Sequence, residues 1–493
     1  MKKIAKIFLC LLICVLSSCA SSKVEKQENL QTVEAANSNK KIKPIKYNEQ
    51  KYQQAYQNRD YQTCLGMLLY KTKKKADIRD NLDLGMLYFL TGDYAQASAI
   101  FEKADAQMYD SVTKSVTRTI AKTVGNENAK EYTGNVYEYL LVNTMNSLCY
   151  YLLGDMNNAV NQLTKLSDLK LPEYRRLYGE VNINNELDSS AQENFKSNMN
   201  SLKSFSIDSS VFTTASPKKP TENDVYKESA LARYLSLILR QADGDKSQID
   251  SDTMVLKSLI RNFDESDSQI PSDKGRINVL ALGGLIGKQT EKQLYFPSKS
   301  HYFYVPTGNK KYSLIPVQFK FVYPVFEQKT TVKNISVTID NVGTKQTFVL
   351  ENFNKNLEKS VNLRAAKEYN ASMIRSITKK VSGLVAGIAS IDASYVGLRS
   401  LSGVAYTLAS IAFEGLCAST EAGLAAIDLT ETADIRQGEF FPETVNAAGF
   451  TVPEGHYKGK VVYQFMDGNI IEDFFEVDVK DGKPSLIVSS CIK

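Results

Sequence analysis

The sequence predicts an α+β chain: an N-terminal array of antiparallel helical hairpins, then a β-sandwich-like half interrupted by an Ala/Gly-rich helical insertion. Three observations predict it. A hairpin signature recurs along the first half, at offsets of thirty-three and sixty-two residues from its clearest copy. From Tyr302 the apolar period changes to two. Between the β segments, Ala366, Tyr369, Met373, Ile377 and Val381 return to helical spacing. At 493 residues the chain is too long for one core, so more than one folded unit is expected.

The first residues, MKKIAKIFLCLLICVLSSC, join a basic start to an apolar run from Ile7 to Leu16 and two small residues before Cys19. The run is too short to span a bilayer and reads as a secretory signal over residues 1–18. Leu16-Ser17-Ser18-Cys19 resembles the bacterial lipobox. That resemblance implies cleavage between Ser18 and Cys19, and acyl chains on Cys19 that hold the protein to a membrane; two chains anchor stably where one does not. Ala20 after the cysteine points to the outer membrane of a bacterial envelope. Residues 19–46 are polar and aperiodic and read as a flexible tether.

The helical half is expected over 47–265. Its clearest hairpin is DLGMLYFLTGDYAQASAIFEKADAQ, Asp83 to Gln107. Leu84, Gly85, Tyr88, Ala97, Phe101 and Ala104 fall where the tetratricopeptide repeat carries its packing residues. Gly85 and Ala97 let two helices approach, Tyr88 and Phe101 fill the space beside them, and Gly92-Asp93 makes the turn. Asp60-Tyr61 and Cys64 repeat the pattern upstream; Ser147, Tyr150, Gly154-Asp155, Ala159 and Leu163 repeat it downstream. A fourth, weaker unit surrounds Gly244-Asp245. The stretch from Leu187 to Asp224, rich in Ser, Asn and Thr, is expected to be a loop or crossover.

The β-rich half is expected over 266–493, with the insertion at about 355–430. Val317, Phe319 and Phe321 alternate with polar residues, as do Ile335, Val337 and Ile339. Asp467-Gly468 and Asp481-Gly482 separate the last apolar runs, predicting a C-terminal meander. In the insertion, Asp392, Arg399, Glu414 and Glu421 break every long apolar run, which disfavours a transmembrane span. Gly383-x-x-x-Gly387 permits close helix contact, and a buried helical hairpin is expected.

The order of lipobox, hairpins and split β half resembles an uncharacterised family of bacterial repeat-containing lipoproteins. The specific match is ADIRQGEFFPETVNAAGFTVPEGHYKGKV. Asp434 and Arg436 fit the family's Asp-x-Arg, Phe441-Pro442 stands for Leu-Pro, and Pro453, Gly455 and Tyr457 follow its Pro-x-Gly-x-Tyr; Gly438 replaces a tryptophan. The resemblance implies a lipoprotein of the bacterial envelope, with an association to cell-wall synthesis in some relatives. From the residues themselves, Asp434 and Arg436 would point the same way on an extended chain and brace helix to sheet.

Enzymatic chemistry finds little support. GGLIGKQT lacks the first glycine and the Ser or Thr of a phosphate loop, with Leu282 and Gln289 in their places. His301 and His456 have no metal-spaced neighbours, and no nucleophile elbow is present. No cofactor or metal is expected. Formal charge is +5, and about +2 once Lys2, Lys3 and Lys6 leave with the signal, which gives no reason to invoke nucleic acid. Cys64, Cys149, Cys417 and Cys491 stay in the mature chain, with buried thiols expected and one disulfide conceivable. The expected role is a membrane-anchored scaffold that binds an envelope protein on the concave helical surface. The alternatives are a carbohydrate or peptidoglycan reader, motivated by HYFYV and FKFVYPVF, and a self-assembling subunit joined through the Ala/Gly helices.

Overall fold

The computed structural model describes residues 26–27, 42–118, 132–173, 210–297, 305–306, 312–313, 318–399 and 403–492, with isolated positions between 193 and 200. Ser18, Cys19, the signal, most of the tether, His301 and Val317 lie outside them.

Three helical hairpins open the body: α1 (Glu49–Gln57) with α2 (Tyr61–Lys71), α3 (Ile78–Leu90) with α4 (Tyr94–Arg118), and α5 (Val136–Leu152) with α6 (Met156–Lys165). Their second helices begin alike. Asp60, Asp93 and Asp155 each accept the amide of the residue three positions on, at 3.0, 3.1 and 3.1 Å. The turn needs a left-handed residue just before, supplied by Gly92 at φ 81° and Gly154 at φ 79°, while Arg59 takes the same conformation at φ 58°. One turn of π-helix, Leu166–Lys170, extends α6. After α7 (Ser210–Thr214) come α8 (Ala230–Asp243), ended by Gly244 in the left-handed region, and α9 (Ile249–Leu259).

Leu84, Gly85, Ala97, Phe101 and Ala104 are buried, as is Ala159. A methyl group at Gly85 would come within 2.5 Å of the Phe101 ring. Gly85→Ala is therefore expected to lower unfolding free energy by about 1–3 kcal/mol through overpacking, read from the shift of a urea midpoint.

The second half contributes two larger sheets. β13 (Pro484–Cys491), β2 (Gly275–Leu285), β10 (Pro442–Val452) and β9 (Phe348–Asn352) form one in that order. β12 (Ile470–Val479), β11 (Gly455–Phe465), β7 (Val332–Ile339) and β8 (Gly343–Gln346) form the other, with β1 (Lys26–Gln27) parallel to β12. The four-stranded sheet is a middle layer. Leu280 and Leu282 of β2 join a core with the helical hairpins, while Ile277, Val279 and Ala281 join a second core with β7, β11 and β12. β2 is accordingly buried on both faces. The boundary expected near Phe263 lies in the link from α9 to β2, yet the first core crosses it without a break.

This layering corrects the expected meander. Asp467-Gly468 joins β11 to β12 as an antiparallel hairpin. Asp481-Gly482 does not close another: β13 crosses to the other sheet and runs parallel to β2. The reason is burial. Leu486 and Val488 face the helices and Cys491 faces the second core, so the strand needs cover on both sides.

β3 (Lys288–Pro297) and β6 (Gln318–Glu327) form a separate ribbon beside the root of the insertion. The insertion is α10 (Phe353–Arg399) and α11 (Gly403–Thr430), leaving from β9 and returning to its neighbour β10. Among its described side chains the buried ones lie toward its root, up to Val381 on α10 and Leu424 on α11, with Arg375 and Lys379 paired to the enclosed Glu431. Farther out, residues 382, 386, 390 and 394 are exposed. The expectation of a buried hairpin is corrected to a projecting one. Its small residues serve the hairpin itself: a methyl at Gly387 would lie 2.5 Å from Thr420 Cγ2. No described helix is long and apolar enough to cross a membrane. Cys64 and Cys149 are buried free thiols, and Cys491 is buried and accepts from Arg59 Nη1 at 3.5 Å; burial pushes Cys64 up to about 12, which leaves it unreactive.

Candidate interaction site

The residues singled out in the β half do not converge. Asp434 and Arg436 pair with each other, Nε to Oδ1 at 2.9 Å and Nη2 to Oδ2 at 2.8 Å, and Arg436 lies over the Tyr132 ring. The ion pair lies within its own segment, and the Arg436 guanidinium extends it to the Tyr132 ring of the helical half. Pro442 opens β10; Pro453, Gly455 and Tyr457 form the turn at its other end, where the Tyr457 hydroxyl donates to the Pro453 carbonyl at 2.9 Å. An eleven-residue strand separates the two groups.

What joins the halves is the stretch between them, Arg436 to Phe441. The Gly438 amide donates to Glu138 Oε1 at 2.7 Å, and the Glu439 amide to Asp83 Oδ1 at 2.6 Å. Asn135 and Gln289 both donate to the Arg436 carbonyl. Gln437 exchanges side-chain bonds with the backbone of Gly287 and Gln289. Phe440 stands edge-on to Tyr52 and Tyr56, and Phe441 to Tyr137. Gly438 is required here because a side chain would strike the Phe441 ring at 2.4 Å. Both helices are buried over most of their length, polar residues included. The chain's own C-terminal half thus reaches both helices.

Glu138 is enclosed and saturated. It also accepts from Tyr132 Oη at 2.5 Å and the Asn135 amide at 2.6 Å, closing a capping box. Burial raises its pKa, with these bonds opposing. Burial and the Glu439 carboxylate push Asp83 well above 3.8, against the Glu439 amide and Arg79. Because the folded value is raised, the contribution of Asp83 to stability is present below about pH 3.8 and is lost as pH rises through the folded value. Asp83→Asn keeps an acceptor for the Glu439 amide and removes that dependence. The variant should gain on the wild type in urea denaturation as pH goes from 4 to 8, by roughly 1–2 kcal/mol.

An open cavity lies between α4, α6 and the π turn. It has a volume of about 900 Å³ and is bounded by Glu102, Asp105 and Tyr109 of α4, Lys165 of α6, and Leu169 and Lys170 of the π turn. Its lip is apolar, with Tyr109 45% and Leu169 64% exposed. Lys165 reaches Asp105 at 2.8 Å, and the buried Lys170 also pairs with Asp105. Lys170 lies over the Tyr139 ring at 4.8 Å; burial pulls its pKa down to about 7, with Glu173 opposing. The π turn rotates Lys170 inward, and such single turns are frequent at functional sites. Tyr150, expected in the core, is half-buried instead and donates to Glu102 at 2.6 Å; Tyr88 is likewise half-buried. In both cases the ring packs on the core and its edge meets solvent.

Of the aromatics that motivated a carbohydrate reader, three of those in FKFVYPVF are core. Phe319, Phe321 and Tyr323 are buried, and the two phenylalanines stack with Phe212, Phe296 and Tyr369. HYFYV lies almost wholly outside the described residues. His456 stands exposed on β11 beside Asp478 and Glu476, whose carboxylates raise its pKa, Asp478 foremost. Among the described residues no cluster of His, Cys, Asp or Glu is arranged to hold a metal. Glu102, Asp105, Lys165 and Lys170 were not singled out in the sequence, where they are ordinary charges on helical spacing. Comparison with family models, with curated proteins and with solved structures gives no match.

Proposed function

We propose that the protein is a lipid-anchored scaffold of a bacterial cell envelope, non-catalytic, that holds a protein partner at the cavity between α4, α6 and the π turn. In this reading the hairpins are tetratricopeptide-like units, the two larger sheets are a sandwich, and the chain belongs with the repeat-containing lipoproteins it resembles. One observation carries the proposal. Helices α3 and α5 are bonded to the chain's own stretch Arg436–Phe441, while the cavity between α4, α6 and the π turn is open and edged with exposed apolar side chains. A face so edged is a contact surface by its chemistry.

A photoreactive residue in place of Tyr109, compared with one in place of the equally exposed Tyr70, tests this in intact cells. The scaffold reading expects a discrete adduct from position 109 that position 70 does not give. Identical patterns, or none, would remove it. Anchoring is tested separately. Cys19→Ser should move the protein from the membrane to the soluble fraction on cell fractionation, because the acyl chains supply the anchoring energy.

A further inference from the structure

We infer that the edge of β12 is a docking site for this chain's own tether, and that the docked tether shortens the leash between the lipid anchor and the folded body. The leash rests on the anchor proposed above; the docking itself does not.

The tether meets the body at two places. At its far end the Ile45 amide donates to the Gly66 carbonyl of α2 at 2.8 Å, and Ile42 and Tyr47 pack against the helical core. A methyl group at Gly66 would lie 2.8 Å from Ile45 Cδ1, so the glycine makes room for this contact. Nearer the anchor, Lys26 and Gln27 run parallel to β12, Lys26 opposite Glu472 and Gln27 opposite Asp473. β12 is ten residues long. Among the described residues β1 is the one strand on that side of it, so the edge offers backbone donors and acceptors to an extended segment.

The occupant is the chain's own segment because the contact at Ile42 and Ile45 holds the tether beside the body. That gives it an effective concentration a free strand does not have. Two residues of parallel pairing are a weak contact, so docked and free tethers exchange. The two states differ in reach. Seven residue steps separate Cys19 from Lys26, and twenty-three separate it from Ile42. Fully extended, these cover roughly 25 Å and roughly 80 Å. Docking therefore keeps the edge of β12 near the acylated cysteine, and release lets the body move outward about three times as far.

Cysteine pairs in the full chain test the docking. Lys26→Cys with Glu472→Cys puts two thiols at paired positions on neighbouring strands, a separation that a disulfide bridges. Lys26→Cys with Thr344→Cys, on the opposite edge of the same sheet, is the control. After mild oxidation, peptide mapping by mass spectrometry should find the first bridge, within one chain, in about fivefold excess over the second. Equal yields, or a bridge that joins two chains, would overturn the inference. The leash is read by energy transfer from a dye at position 470, which is 47% exposed, to labelled headgroups of vesicles carrying the lipidated chain. Lys26→Pro with Gln27→Pro removes both backbone donors of β1 and should lower the transfer about twofold. Unchanged transfer would contradict the shortened leash. The cysteine bridge forms with or without a membrane, whereas the anchor stands or falls on the fractionation of Cys19→Ser, so the two failures are distinguishable.

Discussion

Glu138→Ala should cost about 4 kcal/mol of unfolding free energy, a large part of the 5–15 kcal/mol that a folded domain has. The substitution strips the acceptor from three buried donors at once: Tyr132 Oη and the amides of Asn135 and Gly438. Each orphaned donor carries a penalty of about 1–3 kcal/mol. Glu138→Gln keeps one acceptor and should lose about half as much. Urea midpoints for the two variants, at constant slope, check the ordering.

Arg276→Met should cost about 3–5 kcal/mol, because it leaves a carboxylate buried without its partner. Arg276 is 1% exposed; its guanidinium reaches Asp267 at 2.5 Å, Asp264 at 2.6 Å and the Thr451 hydroxyl at 2.7 Å. Asp267 is fully enclosed and also binds Asn278. Burial already raises its pKa, with Arg276 the main opposing influence. Removing the arginine raises it further, so the loss should shrink as pH falls and the carboxyl becomes neutral. Adding Asp267→Asn to Arg276→Met should restore more than half of the loss, because no charge is then stranded.

Local features were legible in the sequence. Gly92-Asp93 and Gly154-Asp155 fixed two turns because a left-handed residue followed by a capping aspartate acts through its own neighbours. Ala366 to Val381 marked a helix because its apolar residues, at helical spacing, are buried. Non-local choices were not legible. Asp481-Gly482 signals a reversal, but the destination of β13 depends on which layer covers both its faces. Asp434 and Arg436 were singled out for the join, where they pair and Arg436 lies over Tyr132; the amides of Gly438 and Glu439 that also make the join were missed, because backbone amides leave no mark in a sequence. A signal for Glu138 did exist, since Asn135-x-x-Glu138 has capping-box spacing. The cavity had none. It depends on a π turn that shifts Lys170 out of the register a regular helix would give.

Hydrogen exchange read by mass spectrometry tests most directly whether helices and sheets are one body locked by Arg436–Phe441. If they are, the slowest amides of α3, α5 and β10 share one opening free energy, and Glu138→Ala lowers all three together. If the helical amides open while those of β10 stay protected, and Glu138→Ala affects only one set, the halves are separate units and the account is contradicted.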